Sequence, residues 1–506
     1  MHGGISVCRK SPNYNVRTEA CGNPHTLFYC DAIGKFSMKT VTMKFGGTSV
    51  GTPEAISNVV EIIRKERESG NRVIVVVSAM AGVTDQLLQS AKMASSGNKW
   101  GYLSTADKLR DRHEDTLNVL LSPGPVREKT IMQIKSLLEE YTEICQAVSI
   151  LGEETPRIAD AIVAYGERLS SRVVSAVLKG RGVDSAAYDA GEFLVTDDRF
   201  QSAIPIWDET QSRIDSKLMP ALAAGVTPVI TGFIGATRTG LITTLGRGGS
   251  DYSGAIFAAA SNSDELIIWT DVDGVMTTDP RVDKRARVLP YVSYQEVGEL
   301  AFYGAKVLHP KTVQPVLDKS IPIRVCNTFN PDFPGTIIGE DGHATSTVIK
   351  AVTSIKKVSL LTVSGKGMIG VPGIAGRTFV AASEAGASIL MISQSSSEQS
   401  FCFLVTDTSA ESVKRSIENQ LAAEISSRDI DRVDIRNDVV IITAVGAGMS
   451  GTPGVAGRVF SQMGQRGINV VAIAQGSSEC SISFVVAESD HERAVIALHD
   501  LALEAE

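Results

Sequence analysis

The chain lacks any apolar run approaching the ~18 residues of a membrane span. It also lacks a basic block, since 49 basic residues face 57 acidic ones and the formal net charge is −8. We therefore expect neither a membrane nor a nucleic acid as a partner. A chain of 506 residues is too long for one core, so two to four domains are expected.

Cysteine is scarce, and none of the seven cysteines forms a CxxC pair. We expect free thiols and a cytoplasmic location. Residues 1–38 contain three of the seven cysteines and show no hydrophobic period. We expect there a poorly ordered extension, or a natural start at Met38. A transit peptide fits less well, because Glu19 and Asp31 are acidic.

Two common nucleotide signatures are missing or incomplete. No GxxxxGK[ST] occurs, which excludes a P-loop enzyme. GxGxxG matches begin at Gly365 and Gly446, but a dinucleotide fingerprint also needs an acidic residue at the end of the second strand, about 20 residues on. Gln394 and Gln475 hold that place. Backbone amides and a Gln side chain suit a small ligand better than a dinucleotide.

Two glycine-rich turns are present instead, KFGGTSV from Lys44 and TTLGRGGSDYS from Thr243. Each follows a strand-like run and leads into a helical pattern. Glycines let backbone N–H groups approach an anion, and the helix N-terminus adds a favourable dipole. With Lys44 in the first turn and Arg247 and Asp251 in the second, the sequence predicts phosphoryl transfer to a small acidic substrate.

Strand-like and helical segments alternate over residues 39–342, which we assign to one α/β domain. This alternation is typical of an open, largely parallel sheet sandwiched by helices. The clearest strand-like runs are Val73–Val77, Val226–Phe233 and Leu266–Thr270, and the clearest helical patterns are Thr52–Glu68 and Ile158–Leu178.

The rest of the chain is an internal repeat with an offset of 81 residues, in which Gly365–Met368 matches Gly446–Met449. The first copy, residues 357–435, has four strand-like segments, but the second has only three. We infer that a strand near Thr347–Val352 completes the second copy, which then comprises residues 345–354 and 436–506. The first copy would be nested inside the second.

Several residues in these motifs have plainer interpretations. Lys44 could be a solvated lysine in a tight turn, and Asp251 a simple N-cap. Ser78 and Thr84 follow a strand end, where ligands bind in open α/β sheets, yet they fit helix capping equally well. Glu167, in a helical pattern, could hold a substrate amine or be a surface acid. A cluster of acidic residues comprises Asp271, Asp273 and Asp279. It looks like a metal site but lacks the later glutamate of an EF-hand loop, so we interpret it as a turn beside a nucleotide.

In their order along the chain, these motifs resemble those of the aspartokinases of the amino-acid kinase family, from about Thr40 to the C-terminus. The resemblance is carried by Lys44–Ser49, Gly246–Tyr252, Trp269–Asp271 and Phe302–Lys306, and the repeats resemble ACT domains. It implies an amino-acid kinase fold followed by two ferredoxin-like βαββαβ ACT domains.

The resemblance also implies roles for individual residues. Lys44 and Asp251 would be catalytic. The substrate would be held by Arg247 at its α-carboxylate and by Glu167 at its amine, with further contacts from Ser78, Thr84 and Ser250. The ATP side would comprise Lys44, Gly46, Gly47, Thr270, Asp271, Met276, Arg281 and Lys306. Mg²⁺ would bind mainly through the nucleotide, without a metal site of the protein's own. The effector contacts would be Met368, Gln394, Met449 and Gln475.

The implied reaction converts ATP and L-aspartate to ADP and 4-phospho-L-aspartate, with inhibition by threonine or lysine at the ACT domains. We expect a homodimer or homotetramer formed through these domains. We also expect a monofunctional chain, because no room remains after the repeats for a homoserine dehydrogenase. The alternatives are a glutamate or acetylglutamate kinase and a non-catalytic amino-acid sensor. The pair Lys44 and Asp251 argues against the sensor, and Arg247 with Glu167 argues against an acetylated substrate.

Overall fold

The computed structural model describes residues 38–305, 308, 310–340, 348–368, 371–394 and 399–503. Lys306 lies outside the described residues, as do Ser396–Glu398 and the N-terminal extension before Met38. Lys39–Glu506 forms one compact unit. No helix in the described part of the chain is both long enough and apolar enough to cross a membrane.

The elements alternate as the sequence predicts. The strands are β1 Thr40–Phe45, β2 Arg72–Val77, β3 Ser185–Tyr188, β4 Val195–Thr196, β5 Thr227–Thr231, β6 Ile234–Thr237, β7 Ile242–Thr244, β8 Glu265–Thr270, β9 Tyr291–Ser293, β10 Ile323–Asn327, β11 Thr336–Gly339, β12 Ala351–Ser364, β13 Met391–Gln394, β14 Ser400–Thr406, β15 Arg432–Val445, β16 Ala472–Gln475 and β17 Ser481–Ala487. The helices are α1 Pro53–Glu68, α2 Val83–Ser95, α3 Lys99–Leu120, α4 Pro125–Leu151, α5 Pro156–Val163, α6 Tyr165–Gly180, α7 Trp207–Arg213, α8 Met219–Ala223, α9 Gly249–Ala260, α10 Tyr294–Phe302, α11 Pro310–Leu317, α12 Ile374–Glu384, α13 Asp407–Gln420, α14 Ala422–Ser426, α15 Val455–Gln465 and α16 His491–Leu503.

The main sheet has eight strands in the order β3-β5-β2-β1-β8-β10-β11-β9. Its pairs are parallel except β10 with β11, so the prediction of a largely parallel sheet is confirmed. Every residue of β1 is buried. Because β1 lies between β2 and β8, its carboxyl end meets the ends of both neighbours, where open α/β sheets bind ligands.

One sequence expectation in this region needs correction. The helical pattern Ile158–Leu178 is two helices, α5 and α6, with the break at Ala164. The second glycine turn follows a strand, as predicted, but this strand, β7, belongs to a separate three-stranded sheet with β4 and β6. The turn nevertheless reaches the main sheet, since the helix that follows it, α9, packs against β1, β2 and β8.

The repeats form one six-stranded sheet in the order β13-β14-β12-β15-β17-β16. Its two long strands serve both copies. Ala351–Ile355 pairs with Ile441–Val445 of the second copy, whereas Leu361–Ser364 pairs with Arg432–Ile435 of the first. The nested arrangement is thereby confirmed. We expected separate strands near Thr347–Val352 and Val358–Val363, but β12 is continuous, because register shifts between Ile355 and Leu360 take up the change of partner.

A buried carboxylate ties the repeat region to the kinase region. Glu296, in the first turn of α10, is 1% exposed. Its Oε2 accepts hydrogen bonds from the Ser293 N–H at 2.8 Å and from Lys350 Nζ at 2.9 Å. Its Oε1 accepts one from the Ala447 N–H at 2.6 Å. Since a buried charge without partners is costly, this network fixes the start of the second repeat against α10.

Candidate active site

Lys44 and Asp251 form an ion pair, with 2.5 Å between Nζ and Oδ1. Lys44 comes from the carboxyl end of β1 and Asp251 from the first turn of α9, and their side chains are only 9% and 19% exposed. Lys44 is therefore not a solvated lysine. Asp251 is not an N-cap either, because that position in α9 belongs to Gly248. The first and second glycine turns are thus held together by an ion pair between their side chains.

Gly254 allows α9 to approach β1 this closely. A Cβ at this position would lie 3.1 Å from Lys44 Cβ and 3.5 Å from Lys44 Cγ. The stem of Lys44 therefore packs against the helix backbone, and its amine is directed along α9 towards Asp251. A larger residue at 254 would have to displace Lys44.

The first glycine turn is pressed between two neighbouring strand ends. The Gly46 N–H donates to the Trp269 carbonyl of β8 at 3.0 Å. A Cβ at Gly47 would lie only 2.9 Å from the Ala79 carbonyl oxygen, so the glycine is needed for this close approach. The guanidinium of Arg112, which the sequence analysis did not single out, donates to the carbonyls of Gly51 at 3.0 Å and Ala81 at 2.9 Å.

Glu167 lies in the first turn of α6 and is 3% exposed, so the surface-acid interpretation is wrong. Its Oε1 accepts a hydrogen bond from the Ala79 N–H at 3.1 Å. Its Oε2 is buried and has no hydrogen-bond partner among the described residues. Burial raises the pKa of Glu167 to about 8, although the Ala79 N–H and the Lys44 charge oppose this shift. A cation placed beside Oε2 would favour the ionised form.

The remaining substrate candidates lie on the same strand ends and helix starts. Ser78 follows β2 and is half-buried, and Thr84 is in the first turn of α2. Neither provides the N-cap of α2, which is Gly82 without a side-chain bond. Ser250 lies in the first turn of α9 against Gly232, where a Cβ would come within 2.9 Å of Ser250 Cβ.

Arg247 occupies the turn before α9, four residues before Asp251, and its side chain is exposed. The flanking glycines Gly246 and Gly248 both have left-handed backbones, with φ of 78° and 70°. Asp160 of α5 anchors the strand before this turn. It is 1% exposed and accepts hydrogen bonds from the Thr244 N–H at 2.9 Å and the Thr244 hydroxyl at 2.8 Å. The sequence analysis missed Asp160, although an acid between the apolar residues of a short helix was a usable signal.

The ATP-side candidates follow β8. Thr270 is the last residue of β8 and follows Trp269, whose carbonyl accepts the hydrogen bond from Gly46. The Thr270 hydroxyl donates to Asp271 at 3.3 Å. Asp273 Oδ1 accepts hydrogen bonds from the amides of Asn327 and Asn330, at 2.8 and 3.1 Å. Within the described ranges, no three His, Cys, Asp or Glu side chains converge on a point that could hold a metal ion. Asp271 and Asp273 are engaged with neighbouring polar side chains.

Met276 and Arg281 lie further along the same loop. Met276 forms an isolated bridge with Val288, and the guanidinium of Arg281 lies 2.6 Å from Asp279 with 75% of its side chain exposed. The structure therefore brings Thr270 and Asp271 to the Lys44 strand end, while the side chain of Arg281 is engaged with its own loop.

The second repeat contains a cavity of about 280 Å³, lined among others by Met449, Gly454, Gln475 and Glu479. Glu479 Oε2 accepts a hydrogen bond from the Gly451 N–H at 2.8 Å. Met449 is 3% exposed and packs in the core of its repeat.

The first repeat places its candidates differently. Met368 is 4% exposed and packs in the core of the first repeat. Gln394 is exposed at the end of β13. The structure thus brings two of the four effector candidates, Met449 and Gln475, to one cavity.

Comparison with known proteins places this geometry in a family. The amino acid kinase family matches residues 39–327, more than half of the chain, and the ACT domain matches 361–421 and 442–501. Aspartokinase 1, chloroplastic, of Arabidopsis thaliana is 33% identical over 481 residues, 93% of this chain and 81% of that protein. The chain belongs to the amino acid kinase family, in its aspartokinase branch.

Solved structures agree with this assignment. E. coli aspartokinase III in complex with aspartate and ADP has 30% identity and a TM-score of 0.77, covering 92% of this chain and 100% of that one. The bifunctional aspartokinase/homoserine dehydrogenase 1, chloroplastic, of Arabidopsis thaliana is 36% identical over 90% of this chain. The chain spans about half the length of that curated relative and of several similar bifunctional ones.

The buried Glu167 carboxyl predicts a pH dependence of stability. The folded protein retains this proton up to about pH 8, whereas the carboxyl of the unfolded chain has the ordinary glutamate pKa of 4.5. Folding therefore binds a proton between these values, and stability falls as pH rises, by at most about 1.4 kcal/mol per pH unit for this group. Glu167→Gln should remove that loss. Its thermal midpoint, measured without substrates from pH 5 to 8.5, should rise relative to wild type as pH increases.

The matched control is Glu128→Gln, at an exposed glutamate on α4. Its midpoint should follow that of the wild type at every pH. A constant difference between Glu167→Gln and wild type over this range would contradict the protonated, buried state.

Proposed function

We propose that this chain is an aspartokinase, which transfers the γ-phosphoryl group of ATP to the side-chain carboxylate of L-aspartate. The observation that carries the proposal is the nearly buried Lys44–Asp251 pair, at the point where three strand ends and the start of α9 meet. Arg247 stands four residues before Asp251, and Glu167 is close enough to Lys44 for their charges to interact. The resolved complex of E. coli aspartokinase III contains aspartate and ADP.

The chemistry requires charge neutralisation more than proton transfer. Both reactants, a carboxylate and a phosphate chain, are anions that repel each other, and the carboxylate needs no general base. Lys44 would offset charge on the transferring phosphoryl group, and the amides of Gly46 and Gly47 would assist it. Asp251 would keep the Lys44 amine in place. The rest of the rate enhancement would come from holding the two reactants in line.

Two opposite charges would select an amino acid. Arg247 suits bidentate pairing with the α-carboxylate, and its exposed guanidinium has freedom to close over a ligand. Glu167 suits the amino group, because its Oε2 is buried without a partner among the described residues. An ammonium there would ionise Glu167, whereas a neutral N-acetyl amide would bring no positive charge to favour the ionised carboxylate. Ser78, Thr84 and Ser250 would complete the contacts.

The nucleotide would lie on the β8 side, against Thr270, Asp271, Met276 and Arg281, with Lys306 as a further candidate. The residues present fit Mg²⁺ held mainly by phosphate oxygens, since Mg²⁺ needs few protein carboxylates and keeps several waters. Bound there, Mg²⁺ would neutralise phosphate charge. Arg281 would have to leave Asp279 to reach a phosphate.

The repeats would bind threonine or lysine as an inhibitor, with Met449 and Gln475 in the cavity of the second copy and Met368 and Gln394 at the matching places of the first. We retain the domain limits 39–342, 357–435, and 345–354 with 436–506. We also propose a homodimer or homotetramer and a cytoplasmic location. Association through the repeats is supported by Ile392 and Ile473, which are 45% and 46% exposed at matching positions of strands β13 and β16.

Loss of the Lys44 charge should abolish the reaction. Lys44→Met keeps the apolar stem against Gly254 but removes the amine, so kcat should fall by roughly a thousandfold or more. Acyl-hydroxamate formation with ATP measures this, using aspartate, glutamate or N-acetylglutamate as acceptor. The wild type should form product with aspartate.

Arg238→Ala, at an exposed arginine paired with Glu209, is the control and should keep wild-type turnover. A folded Lys44→Met variant with normal turnover would refute the role of Lys44. Product with glutamate alone would favour a glutamate kinase. No product with any acceptor would favour an amino-acid sensor.

Removal of Gln475 should weaken inhibition and spare turnover. Gln475→Ala enlarges the cavity of the second repeat and deletes a side-chain amide that an amino acid would contact. Inhibition curves with lysine and with threonine should shift about tenfold or more for the inhibiting amino acid, as expected for the loss of one hydrogen bond to a charged ligand. Gln394→Ala tests the first repeat in the same assay. Unchanged curves for Gln475→Ala would remove this cavity as the effector site.

A further inference from the structure

The loop that follows β8 is joined to the last helix through buried polar groups. We call Asp271–Leu289 the nucleotide-side loop. Thr277 of this loop is 6% exposed and His499 of α16 is fully buried. The Thr277 hydroxyl lies 2.8 Å from His499 Nε2, and Asp283 Oδ2 lies 2.8 Å from His499 Nδ1. A single imidazole of the repeat region thus contacts two points of the loop.

One arrangement of hydrogens satisfies all three side chains of this relay. The Thr277 hydroxyl oxygen accepts from the Arg287 N–H at 3.0 Å, and its own hydrogen can be donated to His499 Nε2. In this arrangement His499 carries a proton on Nδ1 and donates it to Asp283. Each of the three side chains then has a partner. This arrangement holds only while α16 and the loop keep their relative positions.

Surrounding contacts strengthen the attachment. The Thr277 carbonyl accepts from the Val352 N–H of β12 at 2.8 Å. Arg285 donates to Asp283 at 2.7 Å and to Asp500 of α16 at 2.8 Å. Arg285 and His499 hold the pKa of Asp283 well below its usual range. Asp283 is therefore ionised at neutral pH, which makes its hydrogen bonds charge-assisted.

The attachment lies within the ATP-side candidates. Thr277 directly follows Met276, six residues after Asp271 and four before Arg281. A shift of Thr277 therefore displaces residues on both sides of it along the loop. Resting on the proposed function, we infer that His499 is a positioning residue for ATP: helix α16 holds the nucleotide-side loop in its nucleotide-binding conformation through the Thr277–His499–Asp283 relay.

The inference predicts that loss of the relay weakens the binding of ATP but not that of aspartate. In the full chain without effector, Thr277→Val keeps the side-chain shape but breaks the relay, and His499→Leu removes both of its hydrogen bonds. Each variant should raise the KM for ATP several-fold, by about tenfold for His499→Leu, and leave the KM for aspartate within about twofold. His499→Gln retains an amide near the Nε2 position and should recover part of the loss.

The control is Thr443→Val. Thr443 is a fully buried threonine of β15 whose hydroxyl pairs with Ser483 at 2.8 Å, and neither residue belongs to the relay. Its loss should leave both KM values unchanged. Binding of Mg·ATP measured by calorimetry provides a second readout that does not require turnover. It therefore separates failure of this inference from failure of the proposed reaction.

Three results would overturn the inference. The first is an unchanged ATP affinity in folded Thr277→Val, a variant that also serves if His499→Leu does not fold. The second is an equal rise of both KM values, and the third is an effect of Thr443→Val as large as that of Thr277→Val. Either of the last two would indicate general loosening of the structure.

Discussion

The ion pair between Lys44 and Asp251 joins the central strand of the sheet to the helix that carries the second glycine turn. Both charges are nearly buried, so each depends on the other for its stabilisation. Gly254 lets α9 lie close against the stem of Lys44, since a Cβ at this position would come within 3.1 Å of Lys44 Cβ. The ion pair also brings the Arg247 turn to the strand ends. The proposed reaction depends on this convergence. The Lys44 amine would interact with the incoming phosphate chain while it remains paired with Asp251.

Buried polar groups attach the repeat region to the kinase region at Glu296 and at His499. Glu296 of α10 holds the loop that begins with Ala447, and this loop contributes Met449 to the cavity of the second repeat. His499 of α16 holds the nucleotide-side loop. A ligand in that cavity would therefore act on a unit with direct buried contacts to the ATP side. Both attachments use hydrogen bonds with specific geometry, so they fix the relative positions of the elements that they join.

Local patterns predicted much of the fold and part of the site. The glycine turns indicated Lys44 and Asp251, because each turn is a short stretch of sequence. The internal repeat indicated the nested strands, because its second copy has one strand-like segment fewer than the first. Asp160 bonds to Thr244, Arg112 to Gly51, and His499 to Thr277, across separations of 84, 61 and 222 residues. No periodicity shows such pairings, which arise only when distant elements pack. The break at Ala164 was missed because α5 and α6 continue one apolar pattern.

A crystal structure with Mg·ADP, aspartate and a planar metal-fluoride mimic of the phosphoryl group tests the central claim most directly. The account predicts that Lys44 Nζ lies within hydrogen-bond distance of the mimic, about 3 Å, and that the guanidinium of Arg247 pairs with the aspartate α-carboxylate in the same cleft. A mimic bound away from Lys44, or an aspartate held without Arg247, would contradict it.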